Sequence, residues 1–320
     1  MKRVILIMLA LGLLFWATPP AYPYWIWTPK TKKFINPKAM PKDTPGEQFA
    51  FAKSLYDLKK YEDAKREFKK LLKAYPKSAE AAEGQYYLGR LEEDQGKIYE
   101  AYLAYQKVID KYPFSERIQE IIEREYKIGE RFMAGEKREV MGFALPVENP
   151  AIEIFTKVVE NSTYGPLAPV AQYKLGLVLK GLMRYYEAED AFNKVIVNYP
   201  TSEWADAAKF QIAACRAAVS RSPAYDQWAT MEAKEKFEEF VREHPDAVLS
   251  QEAEKNIERL QEKEAEANFD IAVFYEKQKA YDAAVIYYRD VVANYADSQW
   301  AGKAAQRLKA LEEKQEKVKK

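Results

Sequence analysis

One short pattern recurs along the chain and restricts the folds that it can adopt. Six pairs in which an aromatic residue follows an alanine by four positions are spread along the chain: Ala64/Phe68, Ala101/Tyr105, Ala151/Phe155, Ala188/Phe192, Ala233/Phe237 and Ala284/Tyr288. Residues four apart lie on one face of an α-helix, so each pair places a small residue beside a ring toward a neighbouring helix. A repeat of this length cannot bury its apolar face alone, and its copies must stack into one continuous core. The pattern therefore predicts an all-α repeat protein.

Proline and serine mark the ends of the repeated helices. A proline lies eight residues after the ring in four copies, at Pro76, Pro113, Pro200 and Pro245. Proline lacks a backbone N–H and disfavours helix in the residue before it, so it ends each helix. A serine follows two residues after three of these prolines, and its side-chain oxygen is predicted to cap the next helix: Ser78, Ser115 and Ser202.

A large residue followed by a small one recurs upstream of the alanine. Leu88-Gly89 and Leu175-Gly176 occupy this place, and Phe51-Ala52 and Ile271-Ala272 match them in the first and last copies. The arrangement resembles the tetratricopeptide repeat. That resemblance implies an all-α fold of helix–turn–helix repeats stacked in a right-handed superhelix, with about five to six repeats. The strong copies lie near 45–78, 82–115, 169–202 and 265–298, whereas those around Ala151 and Ala233 are degenerate in their first helices.

The segments outside the repeats predict a six-part organisation. Lys2-Arg3 precede an apolar run of 13 residues at 4–16, which is shorter than the span of about 20 residues that crosses a bilayer. This order is typical of a secretory signal, with an uncleaved anchor as the alternative. The predicted parts are a signal peptide or anchor at 1–21, a Pro- and Trp-rich extended arm at 22–44, N-terminal repeats at 45–134, a loop or hinge at 135–149, C-terminal repeats at 150–310 and a charged tail at 311–320.

The arm differs from the rest of the chain. Its repeated prolines exclude a helix. Trp25 and Trp27 alternate around Ile26, and Phe34 follows a polar turn, so a small strand pair is predicted. Two roles stay open for these aromatic residues. They pack on the protein's own helices, or they bind a partner in the cell envelope, because Trp-rich exposed patches seldom lack one.

Composition argues against catalysis and nucleic-acid binding. The 50 basic and 49 acidic residues leave a net charge of +1, so we expect no nucleic-acid partner. The single histidine, His244, occupies the tyrosine place of a Tyr-Pro helix stop, and the single cysteine, Cys215, lies among alanines on a predicted helix. One histidine excludes a multi-histidine metal site, and the packing positions of His244 and Cys215 argue against a catalytic Cys–His pair. We expect no enzyme activity, metal or cofactor, and the leader holds no cysteine of the kind that a lipid anchor needs.

A binding groove is predicted from helix geometry. The first helix of each pair turns one face toward the concave side of such a stack. Around Ala52 and Gly89 that face carries Phe49, Lys53, Tyr56, Tyr86 and Arg90. Aromatic residues flanked by cations suit a peptide that offers apolar side chains and a carboxylate.

Further motifs are similar to those of the BamD (YfiO) family of outer-membrane β-barrel assembly lipoproteins. They are Tyr164-Gly165-Pro166, Tyr185-Tyr186-Glu187-Ala188 with Asn198-Tyr199-Pro200, Tyr225-Asp226-Gln227, and Phe274-Tyr275 before Tyr281. The similarity covers most of 45–310 and is best from 148 onward. It implies a scaffold on the periplasmic face of the outer membrane that binds a BamA-like insertase through 167–310 and unfolded outer-membrane protein segments through 45–134. Membrane association would come through partners or the N-terminal anchor.

A second function is open from the same repeats. Periplasmic tetratricopeptide proteins of the CpoB kind coordinate cell-envelope or peptidoglycan-synthesis partners. A leading coiled coil would favour that function, and none precedes residue 45.

Overall fold

The computed structural model describes residues 25–29, 32–36, 40–140, 143–144, 148–219 and 227–319. The proposed signal or anchor at 1–21 lies outside these residues. The described part is helical apart from two small hairpins, which are β1 (Ile26–Thr28) with β2 (Lys33–Ile35) and β3 (Glu139–Val140) with β4 (Phe143–Ala144). The helices are α1 (Pro45–Asp57), α2 (Tyr61–Ala74), α3 (Ala79–Asp94), α4 (Ile98–Lys111), α5 (Ile118–Met133), α6 (Pro150–Asn161), α7 (Ala168–Gly181), α8 (Tyr185–Asn198), α9 (Trp204–Val219), α10 (Gln227–Glu243), α11 (Val248–Lys277), α12 (Tyr281–Asn294) and α13 (Gln299–Lys319).

The helices form six consecutive pairs from α1/α2 to α11/α12, and α13 packs on the last pair. Each second helix carries one of the alanine–aromatic motifs. All six alanines and all six rings are fully buried, with 0% exposure. Small residues and rings therefore fill the space between helices, as the spacing requires. The all-α tetratricopeptide-like fold is confirmed. Of the helices within the described residues, none is both long enough and apolar enough to cross a membrane.

The two copies that read as degenerate have complete first helices. α5 pairs with α6 and α9 pairs with α10. The repeat pattern of these two first helices was not recognised in the sequence because the connections to their second helices, 134–149 and 220–226, are longer than the three-residue turns of the other four pairs. The longer connections change the spacing between the small residue of the first helix and the alanine of the second. Gly129 still meets the ring of its pair, since a Cβ there would lie 2.8 Å from Phe155. It stands 22 positions before Ala151, whereas Gly89 stands 12 before Ala101.

The chain divides into two compact units, one ending at Ser115 and the other beginning at Glu116. The predicted boundary at 135–149 lies later in the chain. The difference arises because α5 packs on α6 and thus belongs to the second unit. The segment 135–149 is also more than a loop, since β3 and β4 pair within it. In the second unit three successive core clusters surround Phe192, Phe237 and Tyr288.

The turns between successive pairs repeat one hydrogen-bond scheme. Tyr75, Tyr112, Tyr199 and Tyr295 follow the last residue of a helix, and each donates its N–H to the carbonyl four residues back, at 2.8–3.1 Å. Ser78 Oγ then accepts from the Ala81 N–H at 3.2 Å, as an N-cap does. Ser202 Oγ similarly accepts from the Trp204 N–H. The prediction was wrong at Ser115, because α5 begins only at Ile118, after Arg117.

The turns inside four of the pairs hold a left-handed residue. Their middle residues are Lys59, Gly96, Met183 and Lys279, with φ of 57°, 76°, 60° and 60°. This region is disfavoured for residues with a Cβ by about 1–2 kcal/mol. Only Gly96 adopts it without that cost.

We expect Met183→Gly and Lys279→Gly to stabilise the protein by about 0.5–1 kcal/mol each, because relief of the left-handed strain exceeds the entropy that glycine adds to the unfolded chain. The matched control is Lys277→Gly, in the last turn of α11, which should destabilise by about 1 kcal/mol. Urea denaturation followed by circular dichroism measures all three. Equal losses for Lys279→Gly and Lys277→Gly would contradict the strain argument.

Candidate functional site

An aromatic cluster joins the first three helices. The Tyr87 ring lies 5.7 Å from Phe49, 5.2 Å from Tyr56 and 5.6 Å from Phe68, and it stacks on Phe68 with an interplanar angle of 12°. Phe49, Tyr56 and Tyr87 are half-buried, whereas Phe68 is fully buried. The half-buried rings leave part of their faces open to solvent, and we call these three residues the Tyr87 surface.

The tyrosine of α3 that reaches the surface is Tyr87 and not the predicted Tyr86. Tyr86, which we predicted to line the groove, is only 2% exposed. Its ring packs against Tyr105 and Tyr87 at 5.9 and 5.5 Å. Tyr86 is therefore a core residue, and Tyr87 occupies the surface. The repeat pattern missed Tyr87 because its contacts reach back to the preceding pair, whereas the spacing argument compares positions within one pair.

The two predicted cations have different partners, a carboxylate for Lys53 and a tyrosine hydroxyl for Arg90. Lys53 Nζ donates to Asp57 at 2.8 and 3.0 Å and lies 5.8 Å from the Tyr87 ring centre. The hydrogen bond to Asp57 raises the pKa of Lys53. Arg90 Nη1 donates to the Tyr86 hydroxyl at 3.3 Å. Lys53 therefore stays charged at neutral pH, and Asp57 partly neutralises its positive charge.

A second acid borders the same surface. The Tyr56 hydroxyl donates to Asp94 Oδ2 at 2.5 Å, and burial together with this bond raises the pKa of Tyr56. Charged residues of either sign therefore lie around the rings: the cations Lys53 and Arg90 and the anions Asp57 and Asp94. This arrangement can hold apolar side chains against the rings and can pair with either charge on a peptide. The cation-flanked groove of the prediction is better described as charge-balanced.

A set of buried amides connects the helices of a pair. Gln48, Gln85 and Gln172 each donate from Nε2 to a carbonyl 19 residues later, those of Glu67, Ala104 and Ala191, at 2.9–3.0 Å. Asn268 occupies the same place in the last pair and bonds Asp290 instead, at 2.7 Å. These amides fix the register of the two helices, because a slip would leave buried polar groups unpaired. These amides could have been predicted from the sequence, because each amide residue stands four positions before the small residue of its helix.

The arm forms an exposed hairpin. Trp27 lies opposite Phe34 in the register of β1 and β2, and their rings meet edge-on with centres 5.2 Å apart. Trp25, Trp27 and Phe34 are 56%, 48% and 63% exposed. The predicted strand pair is present. Its aromatic residues are open to solvent, so the structure does not place them against the helices.

The surroundings of the single histidine and the single cysteine fit packing roles for both residues. The His244 ring packs 5.1 Å from that of Phe240, with Nε2 3.3 Å from Asp206 Oδ1. Cys215 is buried, and burial raises the pKa of its thiol to about 11. The thiol is therefore protonated and poorly nucleophilic at neutral pH. Across the described residues there is no group of three or more His, Cys, Asp or Glu side chains that could hold a metal ion.

The solved structures that match the chain include three tetratricopeptide repeat proteins. The C-terminal part of one from Cytophaga hutchinsonii is 18% identical over 82% of this chain and 88% of that chain, with a TM-score of 0.35. One from Parabacteroides merdae is 16% identical over 83% and 98%, with a TM-score of 0.34. One from Thermus thermophilus is 14% identical over 67% and 99%, with a TM-score of 0.31. No curated protein sequence matches significantly.

Family models match both units. Residues 49–116 match a tetratricopeptide repeat model, which covers α1 to α4. Residues 148–319 match the YfiO model, described as outer membrane lipoprotein, and this match spans more than half of the 320 residues. The resemblance seen in the motifs is thereby confirmed, and helical repeats of this kind are protein-interaction scaffolds. The chain belongs to the YfiO family of outer membrane lipoproteins.

Proposed function

We propose that this protein is a scaffold on the periplasmic face of the outer membrane, where it binds a BamA-like insertase and unfolded outer-membrane protein segments. The observation that carries the proposal is the family match over 148–319, which falls entirely within the second unit. The first unit contributes the Tyr87 surface. The proposal therefore divides the two tasks between the two units.

The Tyr87 surface suits an unfolded barrel strand. Such strands alternate apolar and polar residues and carry aromatic residues near both membrane interfaces. Open ring faces of Phe49, Tyr56 and Tyr87 offer contacts to these aromatic residues. Lys53 and Arg90 can pair with carboxylates of the strand, and Asp57 and Asp94 with its cations. A peptide with alternating rings and a terminal carboxylate is the expected client.

The second unit has exposed apolar residues that suit an insertase. Met183 and Tyr186 are 67% and 68% exposed, and they border one hollow with Tyr185 and Val219. Arg184 lies among them and pairs with Glu187 and Glu148. An apolar patch rimmed by charges is typical of a protein interface. Tyr185 and Tyr186 are also part of the motif that carried the family resemblance.

Two variants, each with a matched control, test the division of tasks between the units. The tagged full chain is the bait in cross-linked cell envelope, and mass spectrometry measures which proteins are recovered. Tyr186→Glu should lower recovery of the BamA-like insertase by at least about tenfold, because it buries a charge at a binding interface. Lys53→Glu/Arg90→Glu should lower recovery of unfolded barrel clients by at least about tenfold and leave the insertase unchanged.

Each variant has a matched control. Val197→Glu lies on the same helix as Tyr186 and is 76% exposed in the native protein. Lys69→Glu/Lys73→Glu makes the same change of charge on exposed residues of α2. Both controls should bind like the native chain, and thermal denaturation verifies folding. Equal losses for variant and control would refute the assigned surfaces. Recovery of cell-wall synthases in place of the insertase would favour the CpoB-like coordinator.

A further inference from the structure

We propose that the β1–β2 hairpin enters the interfacial layer of a bilayer containing anionic phospholipid, through the aromatic face formed by Trp25, Trp27 and Phe34. This proposal concerns a different part of the molecule from the two protein-binding surfaces. It holds or fails independently of them.

The hairpin geometry gathers the rings on one side. Trp27 and Phe34 are cross-strand partners with rings in edge-on contact. Trp25 stands two residues before Trp27, directly before β1, and the alternation of side chains along an extended chain favours the same side for both. The three side chains are about half exposed or more, at 48–63%. Their apolar area is available to a partner without any rearrangement of the helices.

Charge separates this segment from the rest of the chain. Residues 22–42 contain five lysines and no aspartate or glutamate, whereas the whole chain has a net charge of only +1. Lys32 is exposed at the hairpin turn, where its N–H donates to the Thr28 carbonyl at 2.9 Å. Lys42, at the end of the segment, lies 4.7 Å above the ring of Phe51 on α1. The segment that carries the aromatic face therefore has five positive charges and no negative one in its sequence, in contrast to the charge-balanced Tyr87 surface.

Tryptophan beside lysine favours a bilayer over a protein groove. Tryptophan rings concentrate at the membrane–water boundary, where one edge is apolar and the N–H stays hydrated. Lysines near an anionic membrane surface add an attraction that falls off within one Debye length. A two-stranded hairpin is too small to hold a rigid shape by itself. A lipid surface requires no rigid complementarity, whereas a protein pocket would.

Quenching by brominated phospholipid tests the proposal with the native tryptophans as reporters. The full chain is mixed with vesicles of phosphatidylcholine and phosphatidylglycerol at 7:3, with or without bromine on the acyl chains. Trp25→Phe/Trp27→Phe keeps an aromatic face but removes two reporters. We expect this variant to lose most of the quenchable emission, while Trp228→Phe, which removes an exposed tryptophan of α10, loses none. All variants and the reference chain carry Trp16→Phe, because Trp16 lies in the apolar run 4–16 and would otherwise report on binding through that run.

Two further measurements complete the test. Lys30→Gln/Lys32→Gln/Lys33→Gln should lower the partition coefficient of the hairpin, read from the same quenching, by at least about tenfold. Vesicles of phosphatidylcholine alone should reproduce that loss with the native chain. Quenching that is unchanged in Trp25→Phe/Trp27→Phe would overturn the proposal. Equal quenching in neutral and anionic vesicles would also overturn it. A hairpin that binds only a protein would give no quenching with either kind of vesicle, and that result would overturn the proposal as well.

Discussion

Gly176→Ala is expected to destabilise the protein by about 2 kcal/mol, although alanine is the better helix former. A Cβ at this position would lie 2.5 Å from the Phe192 ring. The ring cannot move away, because it is fully buried in a cluster with Ala188, Val195 and Ile212. Overpacking of a filled core typically costs 1–3 kcal/mol, and here it exceeds the gain in helix propensity.

The control is a glycine on another helix of the same unit. A Cβ at Gly302, in α13, would meet nothing within 4 Å. Gly302→Ala should therefore stabilise the protein by up to about 1 kcal/mol. Urea denaturation gives both values, and hydrogen exchange at α7 and α8 locates the loss. If Gly176→Ala behaved like Gly302→Ala, close contact between these helices would not be what the glycine provides.

A double-mutant cycle isolates the contact itself. Phe192→Ala alone should cost about 3–5 kcal/mol, since it leaves a cavity in the core. In Gly176→Ala/Phe192→Ala the added methyl group enters space that the ring has left. The double variant should therefore cost less than the sum of the two, by about 1–3 kcal/mol. Additive costs would show that the two residues act separately.

The sequence was sufficient where a feature repeats at constant spacing. Gly176 and Phe192 are one example, because the same distance separates Gly89 from Tyr105. The helix ends at Tyr75 and Tyr199 are another, since proline acts through its own backbone. These features depend on neighbours in sequence. Any copy of the repeat therefore predicts them.

Prediction failed where a feature depends on contacts between copies. The first helix of the third pair was obscured because the inserted segment 134–149 changes the spacing from Gly129 to its alanine. Tyr87 and Asp94 were missed because both act on Tyr56 of the preceding pair, at 5.2 Å between rings and 2.5 Å between oxygens. Neither distance follows from positions within a single repeat.

The long helix α11 belongs to two core clusters, and this division predicts how the C-terminal end fails. Its first half contributes Ala253 and Leu260 to the cluster around Phe237. Its second half contributes Ala265 and Ala272 to the cluster around Tyr288. Each half is therefore held by a different set of neighbours. Loss of one set should release only the half that it covers.

Deletion of residues 279–320 should unfold the second half of α11 while the first half stays folded. The deletion removes the buried side chains of Tyr288, Val291 and Leu311, each worth about 1.5–3 kcal/mol when buried. The remaining single layer of helix cannot replace them, because terminal copies in a stack depend on their neighbours. Hydrogen exchange should rise at least about 100-fold at 265–277 and stay native at 250–260. A shorter deletion, of 314–320, removes no residue of this cluster and should leave both halves protected. Protection of 265–277 in the longer deletion would show that α11 is stable without its last neighbours.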